Sequence, residues 1–281
     1  MENIKEVELS KLLPFPDHPF RVLEDESMRE MAESIREYGV LMPLVVRPVE
    51  EGQYEIISGH RRKYACEMIG METVPVIVRE LDRDASIIMM VDSNLQRENI
   101  LPSERAAAYK MKLEAIKRQG QRNDLTSCQV GTKLRSDEKI AEETEESART
   151  VQRYIRLTEL SPELQQMVDE KRIAMTPAVE ISYLKPEEQR ILLTTIESEQ
   201  ATPSLSQAQR MKKLSQSSEL TEDTILDIMM EQKKPERTDL TIPADILQKY
   251  FPRSYTPQQM QKVIEKLLAG WQRKRQQNHE R

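Results

Sequence analysis

A strand that runs straight into a helix through a single glycine sets the strongest constraint on this chain. Tyr54-Glu55-Ile56-Ile57 reads as a strand, Ser58-Gly59 as a turn, and His60 opens a helix that continues through Ala65 to Met68. Two arginines, Arg61 and Arg62, fall in the first helical turn. The first N–H groups of a helix have no internal partner, and the helix dipole favours negative charge there. Glycine lets the backbone approach closely, and adjacent guanidinium groups add fixed charge with forked donors. The stretch is a place for an anion. The plainer alternative is a strand-to-helix corner with two solvated arginines.

The surrounding pattern builds a small domain of strands and helices over the first hundred residues. Ile4 to Leu9 alternates as a short strand, and the proline-rich run Leu13 to Arg21 excludes a helix. Met28, Met31, Ile35 and Tyr38 share one helical face, and Gly39 stands where a C-terminal glycine cap belongs. Val40 to Arg47 is an apolar run typical of a buried strand, and Val74 to Val78 is another. Residues 85–95 read as helical. Beyond Pro102 almost everything reads as helix. The exceptions are the polar, glycine-broken stretch 118–136, a loop or hinge, and the Ser-, Gln- and Thr-rich stretch 198–223, which includes a linker. Ser161-Pro162 and Thr176-Pro177 each read as a cap with a first-turn proline, and Lys185-Pro186 as a break.

Residues 137–157 fit two short helices around a tight turn. Ile140 and Ala141 face inward on the first, Val151 and Ile155 on the second. The second helix offers Ser147, Arg149, Thr150, Gln152, Arg153 and Arg156 outward with no acid between them. That polar inventory suits a major groove, with Arg and Gln on base edges and Ser and Thr on phosphates. Glu142, Glu143, Glu145 and Glu146 in the turn would be repelled by DNA unless they face away from it.

The net charge of −6 argues against nonspecific coating of nucleic acid and leaves a local basic surface open. No apolar run approaches the ~20 residues of a membrane span, and no signal core follows Met1, so a cytoplasmic chain is expected. Cys66 and Cys128 match no metal spacing and read as reduced thiols.

Three motifs stand in one order ahead of the helix-turn-helix: Gly39 to Arg47, Ser58 to Ala65, and Ser93-Asn94-Leu95-Gln96-Arg97-Glu98-Asn99 to Pro102. Over about residues 3–185 this arrangement resembles the ParB family of DNA partition proteins, including nucleoid-occlusion proteins. The resemblance implies an α+β N-terminal domain of the ParB/sulfiredoxin type, an all-α helix-turn-helix domain and a C-terminal helical segment. It implies CTP and Mg2+ as cofactors, a palindromic double-stranded DNA site, a homodimeric sliding clamp and a ParA-type ATPase as partner. It assigns Gly39 and Pro43 to the base and sugar, and Ser58, Gly59, His60, Arg61 and Arg62 to the triphosphate. Asn94 is implied as the magnesium ligand, with Arg97 from the same motif and Arg21 from the proline-rich one. His60 and Ser93 stand where the family usually has glutamate. Losing both should weaken hydrolysis more than binding, leaving a weak CTPase at most. Sulfiredoxin chemistry would need a cysteine in the Ser58-Gly59-His60 turn, and the nearest is Cys66. A transcriptional regulator or silencer of a mobile element, and a kinase or nuclease on the same fold, remain alternatives.

The boundaries expected are 1–100 for the nucleotide domain, 101–197 for the DNA-binding domain, 198–239 for a linker-rich segment and 240–281 for a dimerisation segment. In the last, Thr256-Pro257 starts a helix whose stripe is Met260, Val263, Ile264, Leu267, Leu268 and Trp271, followed by Arg273-Lys274-Arg275. Either the rest of the chain or the same helix of a second subunit must cover that stripe. A second subunit is expected, because a two-fold DNA site pairs with a two-fold protein. Association with the nucleoid or a plasmid follows from the same reading.

Overall fold

The computed structural model describes residues 4–97, 100–124, 136–144 and 146–231, and, near the C-terminus, 247, 249–252, 255, 256, 259–268 and 270. The chain divides into two units, Met1–Glu231 and Gln232–Arg281.

The first unit opens with a mixed five-stranded sheet. Its strands are β1 (Ile4–Glu8), β2 (Leu12–Leu13), β3 (Leu44–Pro48), β4 (Tyr54–Ser58) and β5 (Thr73–Val78), in the order β1-β5-β3-β4-β2. β3 runs antiparallel to β4 and parallel to β5, with Val46 opposite Ile56 and Val78. Ile56 and Ile57 are both 0% exposed although they point to opposite faces. The sheet is therefore covered on both sides. Helices α1 (Glu26–Tyr38) and α2 (His60–Met68) close one face, bringing Met28, Ala32, Ile35, Ala65 and Cys66 against Leu44, Val46 and Ile56. Helices α3 (Arg83–Leu95) and α4 (Pro102–Asp124) close the other, where Phe15, Phe20, Ile87, Met90, Val91 and Ala108 surround Ile57. α1 and α3 start at side-chain caps: Asp25 accepts from the Met28 N–H at 2.8 Å, and Asp82 from the Ala85 N–H at 2.7 Å.

α4 is the spine of this unit. Its 23 residues extend about 35 Å. Ala108 and Ala115 serve the core behind the sheet, and Ala106 serves the core of the following helices. Tyr109 and Leu113 pack on Ile140, Ala141 and Val151 of α5 (Ser136–Thr144) and α6 (Ala148–Arg156). After a 3-10 turn at Leu157–Glu159 come α7 (Pro162–Asp169), α8 (Met175–Ile181), α9 (Pro186–Glu199), α10 (Leu205–Gln216) and α11 (Glu222–Met230). No helix among the described residues is long and apolar enough to cross a membrane.

Three expectations are corrected. Residues 205–230 are not linker: they form α10 and α11, whose Ala208, Met211, Ile225, Ile228 and Met229 join the core of α7 to α9. The Ser and Thr that gave the stretch its linker character are caps, Ser204 paired with Gln207 and Thr221 with Thr224. Residues 118–124 are not loop, because α4 continues to Asp124; residues 125–135, with Cys128, lie outside the described residues. Thr176 is not a cap, since α8 starts at Met175 behind Ala174. Ser161 does cap α7, and Lys185 precedes the first turn of α9.

In the second unit, residues 259–268 are helical. Thr256 and Gln259 cap one another, with the Gln259 carbonyl oxygen accepting from the Thr256 N–H at 2.9 Å and the Thr256 hydroxyl from the Gln259 N–H at 3.4 Å. On the expected stripe, Leu267 and Leu268 are 67% and 58% exposed. Trp271 and Arg273 to Arg275 lie outside the described residues.

Candidate functional site

Gly59 turns the chain from β4 into α2 with φ +111°. A Cβ placed there would lie 2.8 Å from Leu44 Cγ and 3.3 Å from Arg62 Nη2, so backbone conformation and space both require glycine. The three residues that follow are tied to three other segments. His60 Nε2 accepts from the Phe15 N–H at 3.3 Å. Arg61 donates to Ser27 Oγ at 2.9 Å and lies 3.5 Å from the Asp25 carboxylate, at the start of α1. Arg62 donates through Nη1 to the carbonyl oxygens of Met42 and, at 2.9 Å, Pro43. The corner thereby gathers the proline-rich loop, the start of α1 and the loop before β3.

Its electrostatics are one-sided. Burial first, then the charges of His18, Arg97 and Lys63, holds His60 down at about 3. Burial, then Arg97, draws the Arg62 guanidinium below its usual range, and Arg97 is drawn down by burial and by Arg61. Among the described residues Arg97 makes no side-chain hydrogen bond or ion pair. Glu104 acts on Arg97 in the opposite sense, and Asp25 lies beside Arg61, yet cations outnumber acids here and fit a polyanion.

The remaining expected residues are placed less directly. Gly39 caps α1 at φ +72° with open space where a Cβ would stand. Ser58 ends β4. Arg21 donates its backbone N–H to Glu104 at 2.8 Å and leaves its side chain exposed. Asn94 is buried, with its Nδ2 donating to the Met90 carbonyl at 2.8 Å. That leaves the amide oxygen, the atom a hard cation would use. No group of three or more His, Cys, Asp or Glu able to hold a metal occurs among the described residues. This donor set fits magnesium only as an ion carried largely by ligand phosphates and water, its common mode of binding. His18, which no sequence motif marks, lies against His60 with ring centroids 3.9 Å apart and the planes tilted by 43°.

The helix-turn-helix falls on α5 and α6. Ser147 caps α6, accepting from the Thr150 N–H at 3.1 Å. Arg149 is exposed and makes no ion pair or side-chain hydrogen bond among the described residues. Arg153 reaches Thr176 Oγ1 at 2.8 Å. Gln152 and Arg156, also expected to face outward, are engaged by the protein as Arg153 is. Gln152 donates to Asp137 at 3.1 Å, and Arg156 to the Ser182 carbonyl at 2.7 Å with its guanidinium 4.1 Å from the Tyr183 ring centre. Their neighbours come from distant segments, which periodicity does not reveal. The acidic turn is directed to α4: Glu143 pairs with Lys112, and Glu146 with Arg105 at 2.8 Å. Both carboxylates thus have a cationic partner on α4, although Glu146 Oε2 is left without a hydrogen-bond partner among the described residues. Glu145 lies outside the described residues.

Fold and site together define an α+β domain built around an arginine-bearing glycine corner, with a helix-turn-helix behind it. The chain belongs to the ParB family: the ParB N-terminal domain matches residues 1–95 and the ParB HTH domain residues 126–209. It is 33% identical over 174 residues to stage 0 sporulation protein J of Bacillus subtilis, covering 62% of this chain and 55% of that protein. It is 34% identical over 181 residues to the chromosome-partitioning protein Spo0J of Thermus thermophilus, covering 64% of this chain and 60% of that one. Each match thus spans less than two thirds of the relative. Among solved structures it is similar to C-terminally truncated ParB from Caulobacter crescentus. The form complexed to the centromeric parS site is 25% identical, with TM-score 0.45, covering 74% of this chain and 98% of that one. The form complexed with CTP-gamma-S is 29% identical, with TM-score 0.32, covering 67% and 96%.

Proposed function

We propose that this chain is a sequence-specific, CTP-binding DNA clamp that partitions a plasmid, mobile element or chromosome. The observation that carries the reading is the Gly59 corner, where a positive-φ glycine and the start of α2 gather the Arg61, Arg62 and Arg97 side chains, with only Asp25 and Glu104 as acidic counterparts among the described residues. In this reading the backbone at Ser58 and Gly59, with His60, Arg61, Arg62 and Arg97, holds the triphosphate. Gly39 and Pro43 border the base and sugar, Arg21 closes the edge, and the Asn94 oxygen holds the phosphate-borne Mg2+. Ser147, Arg149 and Thr150 meet a palindromic duplex, with Gln152, Arg153 and Arg156 joining if their present partners release them. Turnover is slow or absent, because His60 already accepts a backbone N–H and Ser93 Oγ donates to the Met90 carbonyl. A ParA-type ATPase is the motor partner, and the protein is associated with nucleoid or plasmid.

The test separates the two sites. Arg61→Ala is expected to abolish CTP retention on a filter with magnesium present while leaving duplex binding intact. Arg149→Ala is expected to weaken binding to the cognate duplex by about 1–3 kcal/mol and to leave CTP binding unchanged. Equal loss of both activities in both variants would refute the division of labour. Chromatin immunoprecipitation adds the physiological outcome: a peak spreading over kilobases marks a sliding clamp, and narrow promoter peaks mark a transcriptional regulator. The exposed stripe of residues 259–268 is assigned to a second copy. Leu267→Asp with Leu268→Asp should convert a dimer to a monomer by light scattering, and an unchanged mass would reject that interface.

A further inference from the structure

Three buried side-chain polar atoms lack a hydrogen-bond partner among the described residues, and two of them, His18 Nε2 and Arg61 Nε, belong to the phosphate corner. An unsatisfied buried polar atom in a folded protein requires an explanation. The tautomers follow from the partners. His18 Nδ1 lies 2.7 Å from the Phe20 carbonyl, which can only accept, so Nδ1 carries the proton and Nε2 presents a bare lone pair. His60 is the reverse case: its Nε2 lone pair is taken by the Phe15 N–H. The two rings are in contact, with centroids 3.9 Å apart and planes tilted by 43°, and only His18 keeps a nitrogen free to gain a proton.

We propose that His18 is a proton-linked member of the phosphate site: as the polyphosphate enters, Nε2 takes a proton from solvent and donates it in a hydrogen bond to a phosphate oxygen. This rests on the nucleotide reading above and adds to it a residue and a pH dependence. The charged groups facing the imidazole pair are Arg97 beyond α3 and Lys63 on α2, with Arg61 and Glu104 acting on Arg97. Without ligand, burial and the Arg97 charge push His18 below the ordinary imidazole range against the raising effect of the Phe20 hydrogen bond, so the ring is neutral at pH 7. A bound polyphosphate neutralises the arginines and faces the ring with negative charge, which raises its proton affinity. The group therefore binds more protons in the complex than in the free protein. Linkage then makes affinity rise as pH falls, and the gain is lost as pH rises through the His18 pKa of the complex.

The experiment is calorimetric titration of the full chain with CTP and magnesium from pH 6 to 8.5, in two buffers of different ionisation enthalpy. The expected result is uptake of about one proton near neutrality, with affinity changing about three- to tenfold per pH unit. His18→Gln keeps a polar side chain in the loop and should still bind CTP, with proton uptake and pH slope removed. The titration of the nucleotide's own phosphate is common to both proteins and cancels in the comparison. In the unaltered chain, the His18 ring nitrogen resonances should move from neutral to protonated on CTP addition, a readout that does not depend on the variant. Equal slopes in the two proteins, or a His18 ring that stays neutral in the complex, overturn the proposal. Absence of CTP binding at every pH overturns the nucleotide reading itself and this inference with it.

Discussion

Gly59→Ala is expected to lower the stability of the first unit by about 2–5 kcal/mol. One part is conformational: a residue with a Cβ held at φ +111° carries strain of roughly 1–3 kcal/mol. The other is steric. The new methyl would lie 2.8 Å from Leu44 Cγ, and Leu44 is fully buried between the sheet and its helices, so relief requires movement of a packed core residue. Overpacking of this kind costs about 1–3 kcal/mol. For a unit of this size the melting temperature should fall by about 5–15 °C. Gly70→Ala is the control. Gly70 also has positive φ, +74°, but nothing stands within 4 Å of its added Cβ, so only conformational strain of about 1–2 kcal/mol applies. Thermal denaturation of both variants decides the matter: comparable losses would mean that the Leu44 contact is not a constraint. Since the same methyl would displace Arg62, which holds the Met42 and Pro43 carbonyls, CTP affinity should fall for Gly59→Ala alone.

The sequence disclosed local features far better than distant pairings. Two adjacent apolar residues in a strand, Ile56 and Ile57, imply cover on both faces, and both faces are covered. Gly39 and Ser161-Pro162 carry their cap geometry in their own residue types. The misread stretch 205–230 failed for a definable reason: Ser204 and Thr221 act within their own helices, yet residues of that type are equally common in linkers. The site divides the same way. Gly59, Arg61 and Arg62 were legible because one turn contains them. His18 was not, because its partner His60 is 42 residues away and only the fold brings their rings together. Gln152 and Arg156 look outward on a helical wheel, but Asp137, Ser182 and Tyr183 approach them from other elements.

Lys112 is the extreme of this second kind, and it leads to the other large prediction. In the alanine-rich pattern of α4 it resembles any solvated lysine, yet its side chain is 0% exposed and its ammonium joins Asp92 of α3 to Glu143 of α5. It therefore links the helix that carries Asn94 to the helix-turn-helix. Asp92 and Glu143 are 46% and 54% exposed, so water can resolvate both when the ammonium is removed. The loss on substitution should then come mainly from the buried four-carbon stem. Lys112→Ala deletes that stem and leaves a cavity beside Asp92 and Glu143, for about 2–4 kcal/mol of destabilisation. Lys112→Met keeps most of the volume while removing a buried charge that is costly to desolvate, and should stay within ~1 kcal/mol of the native chain. Chemical denaturation of the two variants distinguishes packing from ion pairing. If methionine is as damaging as alanine, the paired charges themselves hold α3, α4 and α5 together, and the stem is incidental. If it restores stability, α4 acts as a packed spine, and the ammonium serves to satisfy Asp92 and Glu143.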